Sequence, residues 1–105
     1  MNSLQLALQD LASHRQRVEQ SGPTAPANVW IDVYRPGGRD VDYARLRSDH
    51  PMFDGGKKTI GLKRVGSNEH REWELRIKRR DALAEIERRS LAIKTMLDTP
   101  IWEPE

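Results

Sequence analysis

The 105-residue chain is 36% hydrophobic and 32% charged, contains no cysteine, and carries a formal net charge of +2. That length and composition describe a small chain with a modest core, and the missing cysteine excludes disulfides, thiolate zinc sites and cysteine nucleophiles. No segment approaches the ~20 apolar residues that cross a bilayer, and the N-terminus lacks the basic flank and apolar run of a secretory signal, so the expected location is the cytoplasm.

SLQLALQDLASHRQRVEQ reads as the first helix. Leu4, Ala7, Leu8, Leu11 and Val18 recur at helical spacing, with Ser3 placed as the N-cap. His14 or Arg15 falls where the stripe calls for another apolar residue. Ser21-Gly22-Pro23 stops the helix. The segment SGPTAPAN reads as a linker or an ordered loop.

VWIDVY alternates as a strand, with Val29, Ile31 and Val33 on one face and Trp30, Asp32 and Tyr34 on the other. Pro36-Gly37-Gly38 is a turn signal. VDYARLRS forms a second strand, its Ala44 and Leu46 opposed to Tyr43, Arg45 and Arg47. After the connection HPMFDGG, KKTIGLKRV forms a third, with Ile60 and Leu62 one way and Thr59, Gly61 and Lys63 the other. Short connections favour an antiparallel meander.

Gly66 ends the sheet, Ser67 is the expected N-cap of a long helix from about Asn68 to Leu97, and Glu69 suits its dipole. Trp73, Ile77 and Ala84 make a first stripe on that helix; Leu83, Ile86, Ile93 and Leu97 make a second, with Ser90 at the heptad position between Ile86 and Ile93. Pro100 ends it, and TPIWEPE follows as an acidic tail with Trp102 exposed unless docked. The fold class is α+β: N-terminal helix, three-stranded antiparallel sheet, long C-terminal helix. In segments, 1–21 is an amphipathic helix, 22–28 a linker, 29–98 the sheet with its long helix, and 99–105 the tail. The aliphatic sheet face (Val29, Ile31, Val33, Ala44, Leu46, Ile60, Leu62) is expected to pack on Trp73 and Ile77.

Charge is unevenly placed. Residues 1–29 hold two basic and two acidic side chains; residues 30–80 hold thirteen basic and eight acidic, net +5; residues 81–105 hold three basic and six acidic, net −3. A basic middle points to a polyanionic partner. The outward sheet face would show Arg45, Arg47, Lys57, Thr59 and Lys63 beside Trp30, Tyr34 and Tyr43, with Arg35, Arg39, Lys58 and Arg64 near the strand ends. Cations on phosphates release counterions, and aromatics stack on bases. A small sheet also enters a duplex groove. RIKRR adds Arg76, Arg79 and Arg80 on neighbouring helix faces; the competing reading is a solvated helix with Glu72 and Arg76 paired at i,i+4.

Catalysis has little support. His14, His50 and His70 are scattered without metal-ligand spacing. Asp49, His50 and Asp54 share a loop whose Asp, Pro and Gly content is that of a turn. Gly55-Gly56-Lys57-Lys58 lacks the upstream glycine and the setting of a P-loop. Neither a metal nor a cofactor is expected.

The strands ending in YARLRS and TIGLKRVGS, followed by EHREWELRIKRR, resemble the small DNA-binding modules of the AP2 and integrase arm-binding type over about Val29 to Arg80. In those families the exposed sheet face contacts the duplex, and the resemblance implies that role for Arg45, Arg47 and Lys63. Two functions are therefore expected. The first is a non-enzymatic nucleic-acid-binding accessory protein, for DNA rather than RNA, using Trp30, Tyr43, Arg45, Arg47, Lys57, Lys58, Lys63, Arg64, Arg76, Arg79 and Arg80. The alternative is a protein-interaction adaptor that assembles, as a homodimer or with a helical partner, through Leu83, Ile86, Ile93, Leu97 and Trp102.

Overall fold

A computed structural model describes residues 2–105. In chain order it comprises α1 (Ser3–Ser21), β1 (Val29–Tyr34), β2 (Tyr43–Ser48), β3 (Thr59–Arg64) and α2 (Asn68–Asp98). The strands form one antiparallel sheet in the order β1-β2-β3. This is the α+β arrangement that the sequence pattern predicts. The chain divides into two compact units. Pro23–Arg80 holds the sheet and the start of α2; α1 and the chain from Asp81 onward make the other.

In the sheet unit, β1 and β2 pair without interruption from Val29↔Ser48 to Tyr34↔Tyr43. Strict alternation then fixes which residues share a face. Ala25, Val29, Ala44, Leu46 and Leu62 form the buried cluster, and Ile31, Phe53, Trp73 and Ile77 pack against it. Trp73 and Ile77 are thus the helix side chains that reach the sheet, as expected. The aliphatic face is not buried throughout, however. Val33 and Ile60 share it by alternation yet stay 50% and 45% exposed; both stand on edge strands, outside the cluster that Trp73 and Ile77 pack against.

The segment read as a linker is ordered and held. Ala25 sits in the core, and its amide donates to the Arg76 carbonyl at 3.1 Å. Arg79 donates to the Pro23 carbonyl at 3.1 Å, and Arg80 Nη1 to the carbonyls of Pro26 and Val29, both at 2.7 Å. Two arginines therefore satisfy backbone acceptors of an otherwise irregular stretch.

Between β2 and β3, Asp54-Gly55-Gly56 closes a tight loop, with Phe53 and Lys57 bridged and the Lys57 amide donating to the Phe53 carbonyl at 3.3 Å. Gly55 and Gly56 both take positive φ, +76° and +71°, a run that favours glycine. At the entry to α2, Ser67 Oγ accepts the His70 amide at 3.2 Å, which makes Ser67 the N-cap the sequence indicates. His70 is buried, and its Nδ1 accepts the Gly66 amide at 2.9 Å. Its Nε2 faces Glu74 Oε1 at 3.3 Å. His70 thus fastens the β3–α2 turn.

In the helical unit, the N-cap of α1 is Asn2 and not Ser3. Asn2 Oδ1 accepts the Gln5 amide at 2.8 Å and Gln5 Oε1 accepts the Asn2 amide at 3.0 Å. A capping box needs a Gln or Glu three residues on, and Gln5 stands at that distance from Asn2. Arg15, at the polar break in the α1 stripe, meets Glu87 at 2.7 Å. Of the second α2 stripe, Ile86 is buried together with Ser90, Leu83 and Ile93 are half-buried, and Leu97 is exposed. Ala84, read as part of the first stripe, is exposed.

Candidate nucleic-acid interface

The sheet face opposite the core is built by cross-strand pairs. Trp30 stands opposite Arg47, Asp32 opposite Arg45, and Tyr34 opposite Tyr43. On the other side of β2, Arg47 pairs with Thr59, Arg45 with Gly61, and Tyr43 with Arg64. The register slips between Tyr43 and Arg45, so Leu62 and Lys63 together oppose Ala44. This is a β-bulge. Leu62 keeps the core side, and Lys63 takes the left-handed conformation at φ 63°. The bulge overturns one expectation: Lys63 leaves the alternation and pairs with Glu69 at 3.0 Å, and Arg64 takes the outer place beside Tyr43.

Asp32 organises the centre of this face. Its Oδ2 accepts from Arg45 Nε at 2.9 Å, from Arg45 Nη2 at 2.7 Å and from Arg47 Nη1 at 3.3 Å. The Arg45 guanidinium also lies 4.7 Å from the centroid of the Tyr34 ring, a cation–π contact. Tyr34 and Tyr43 stack at a tilt with centroids 6.1 Å apart. Arg39 covers Tyr43 from the hairpin turn and donates to its hydroxyl at 2.8 Å. Four guanidinium groups (Arg39, Arg45, Arg47, Arg64) thus surround three aromatic rings and one carboxylate. Trp30 is 44% exposed, and the Arg47 side chain 45%.

Hydrogen bonding from Arg45, reinforced by Arg47, holds the Asp32 carboxyl below its ordinary pKa. Arg64, with Arg39 behind it, lowers that of the Tyr43 phenol. A carboxyl whose folded pKa lies below its unfolded value stabilises the fold above the unfolded value, and that contribution is lost as pH falls through the folded one. Unfolding measured from neutral pH down through about pH 4 and below should therefore show a shallower acid loss for Asp32→Asn than for the unaltered chain. A profile parallel to the unaltered chain's would mean that the Arg45–Asp32 contact carries no pH-dependent stability.

The remaining predicted residues are dispersed. Lys57 and Lys58 are exposed and precede β3, beyond the outer face. Arg76 pairs with Glu72 at 3.0 Å and lies 4.9 Å from the Trp73 ring centroid, so the i,i+4 reading holds there. Arg79 and Arg80 hold the 23–29 segment. The RIKRR turn is therefore largely engaged within its own unit. Sequence reasoning missed Asp32 as the hub; its signal was the Pro-Gly-Gly turn, which centres the hairpin so that Asp32 falls opposite Arg45. In the 49–54 loop, Asp49 meets His50 Nδ1 at 2.7 Å, and that hydrogen bond is the main cause that lowers the Asp49 pKa. No group of three or more potential ligands suited to a metal ion occurs among the described residues. Among those residues, too, no helix is long and apolar enough to cross a membrane.

No protein-family model matches the chain, and neither does any curated protein or solved structure.

Proposed function

We propose that the chain is a non-enzymatic nucleic-acid-binding protein that holds duplex DNA on the outer face of its sheet. The observation that carries this reading is the arrangement of four guanidinium groups and three aromatic rings on the sheet face away from the core, with Asp32 the one carboxylate among them. The strands fix that spacing, so little ordering accompanies binding. Three strands at about 4.8 Å spacing span roughly 10 Å. That width enters a B-form major groove of about 12 Å, whereas the deep, narrow major groove of an RNA helix excludes it.

The test is fluorescence anisotropy with labelled duplex DNA, single-stranded DNA and double-stranded RNA at low and moderate salt. Four phosphate contacts should weaken duplex DNA binding roughly a hundredfold between about 50 and 200 mM salt. Absent binding, or binding that ignores salt, would overturn the proposal.

A second reading is favoured by the tail, where Ile101 and Trp102 are 89% and 81% exposed. In that reading the helices and tail dock a protein partner, and the sheet face meets an acidic protein. It predicts no binding in the anisotropy series.

A further inference from the structure

We propose that the helical unit pairs with a second copy of this chain, through the groove between α1 and the last turns of α2. The pairing involves no nucleic acid and is measured without it, so it stands or falls apart from the function proposed above.

The two segments run antiparallel. Arg15 of α1 meets Glu87, while Ala7, Asp10 and Leu11, earlier in α1, line a groove of about 450 Å³ with Arg89, Ala92 and Ile93, later in α2. Two helices side by side bury little: α1 has no buried residue, and Ile86 is the buried aliphatic side chain of α2. Helices of this kind draw most of their stability from packing of an apolar face, and small units commonly complete their cores by self-association. The groove supplies such a face. Ala7 and Ala92 are small enough for close helix approach, and Met96, at i+4 from Ala92, extends the apolar strip while 54% exposed.

Charge selects the occupant. Asp10 stands on one wall and makes no ion pair among the described residues. Arg89 stands on the other and bonds Glu85 through Nε alone, at 3.0 Å. A groove with one acid and one base on opposite walls is complementary to itself under a two-fold axis. An axis parallel to the helices lays α1 on the α2 of the second copy and sets Asp10 against Arg89 of the partner subunit, twice, as a four-helix layer. An axis across the helices would instead lay α1 on α1 and oppose Asp10 to Asp10. The first arrangement is the one we assign. The chain's own tail is a poorer occupant, since it would bring Glu103 and Glu105 toward Asp10.

The test is sedimentation equilibrium of the full chain from low to high micromolar concentration. The unaltered chain should reach twice its 12.1 kDa. Asp10→Arg or Arg89→Asp alone should weaken association at least about tenfold, since each sets like charges together at two symmetric places. Both changes in one chain should restore it. Circular dichroism confirms that the variants fold, which both exposed positions allow, and Met96→Glu should weaken association independently through the apolar strip. A monomer at every concentration overturns the proposal. So does a double variant that associates no better than either single one.

Discussion

Replacing Arg47 and Arg64 together by alanine should weaken duplex DNA binding roughly a hundredfold at low salt. A hydrogen bond from a charged donor is worth about 1.5–3 kcal/mol, roughly a factor of ten or more for each arginine. The slope of log affinity against log salt should fall by about two, since two phosphate contacts disappear. Both side chains are exposed and lie on the sheet face away from the buried cluster, and Asp32 keeps its two shorter hydrogen bonds from Arg45 when the 3.3 Å contact from Arg47 is lost, so the melting temperature should move little. Arg45 is a poorer target. Its guanidinium binds Asp32 twice and lies over Tyr34, so Arg45→Glu would set a carboxylate against Asp32 and confound binding with folding. Arg79→Ala with Arg80→Ala gives the useful contrast: it should loosen the 23–29 segment and lower stability while leaving the salt slope unchanged. If the Arg47/Arg64 variant bound DNA as the unaltered chain does, the outer face would not be the binding surface. If the Arg79/Arg80 variant lost slope instead, the interface would lie on α2.

The strands were legible because alternation is a local signal. VWIDVY and YARLRS each declare two faces, and the Pro-Gly-Gly turn between them sets the register that opposes Trp30 to Arg47 and Asp32 to Arg45. The bulge was not legible. Lys63 takes positive φ, where a sequence reader would look to Gly61, and the slip of one residue exchanges Lys63 for Arg64 on the outer face. The intramolecular contacts of Arg79 and Arg80 were illegible for a different reason. Their acceptors are backbone carbonyls of Pro23, Pro26 and Val29, about fifty residues away in sequence, and a carbonyl leaves no trace in residue type. RIKRR looks like a phosphate-seeking cluster by composition; position makes two of its members into clamps. The single-residue error at the start of α1 follows from reading Ser3 by propensity alone, when Gln5 at the third position marks Asn2.

The same sheet sets the largest expected loss of stability. Leu46 is 0% exposed and the one large side chain among the described residues that is wholly buried. It sits on the central strand between Ile31 of β1 and Ile60 of β3. Ala25 and Ala44 belong to the same cluster and have no side-chain length with which to fill a void. Leu46→Ala should therefore cost about 3–5 kcal/mol, the upper part of the range for buried leucines whose surroundings cannot collapse. That is a large share of the ~5–15 kcal/mol that holds a typical domain. At roughly 4–8 °C per kcal/mol for a unit of this size, the melting temperature should fall by at least about 12 °C. Leu46→Met nearly conserves volume and should lose less than about 1.5 kcal/mol. The pair separates packing from mere substitution. Binding supplies a further readout, because the arginines of the outer face are spaced by the strands that Leu46 holds from behind. Leu46→Met should keep DNA affinity, and Leu46→Ala should lose it in step with the unfolded fraction as temperature rises. A Leu46→Ala chain that melted within a few degrees of the unaltered one would show that the cluster beneath the sheet is not what holds the outer face in place.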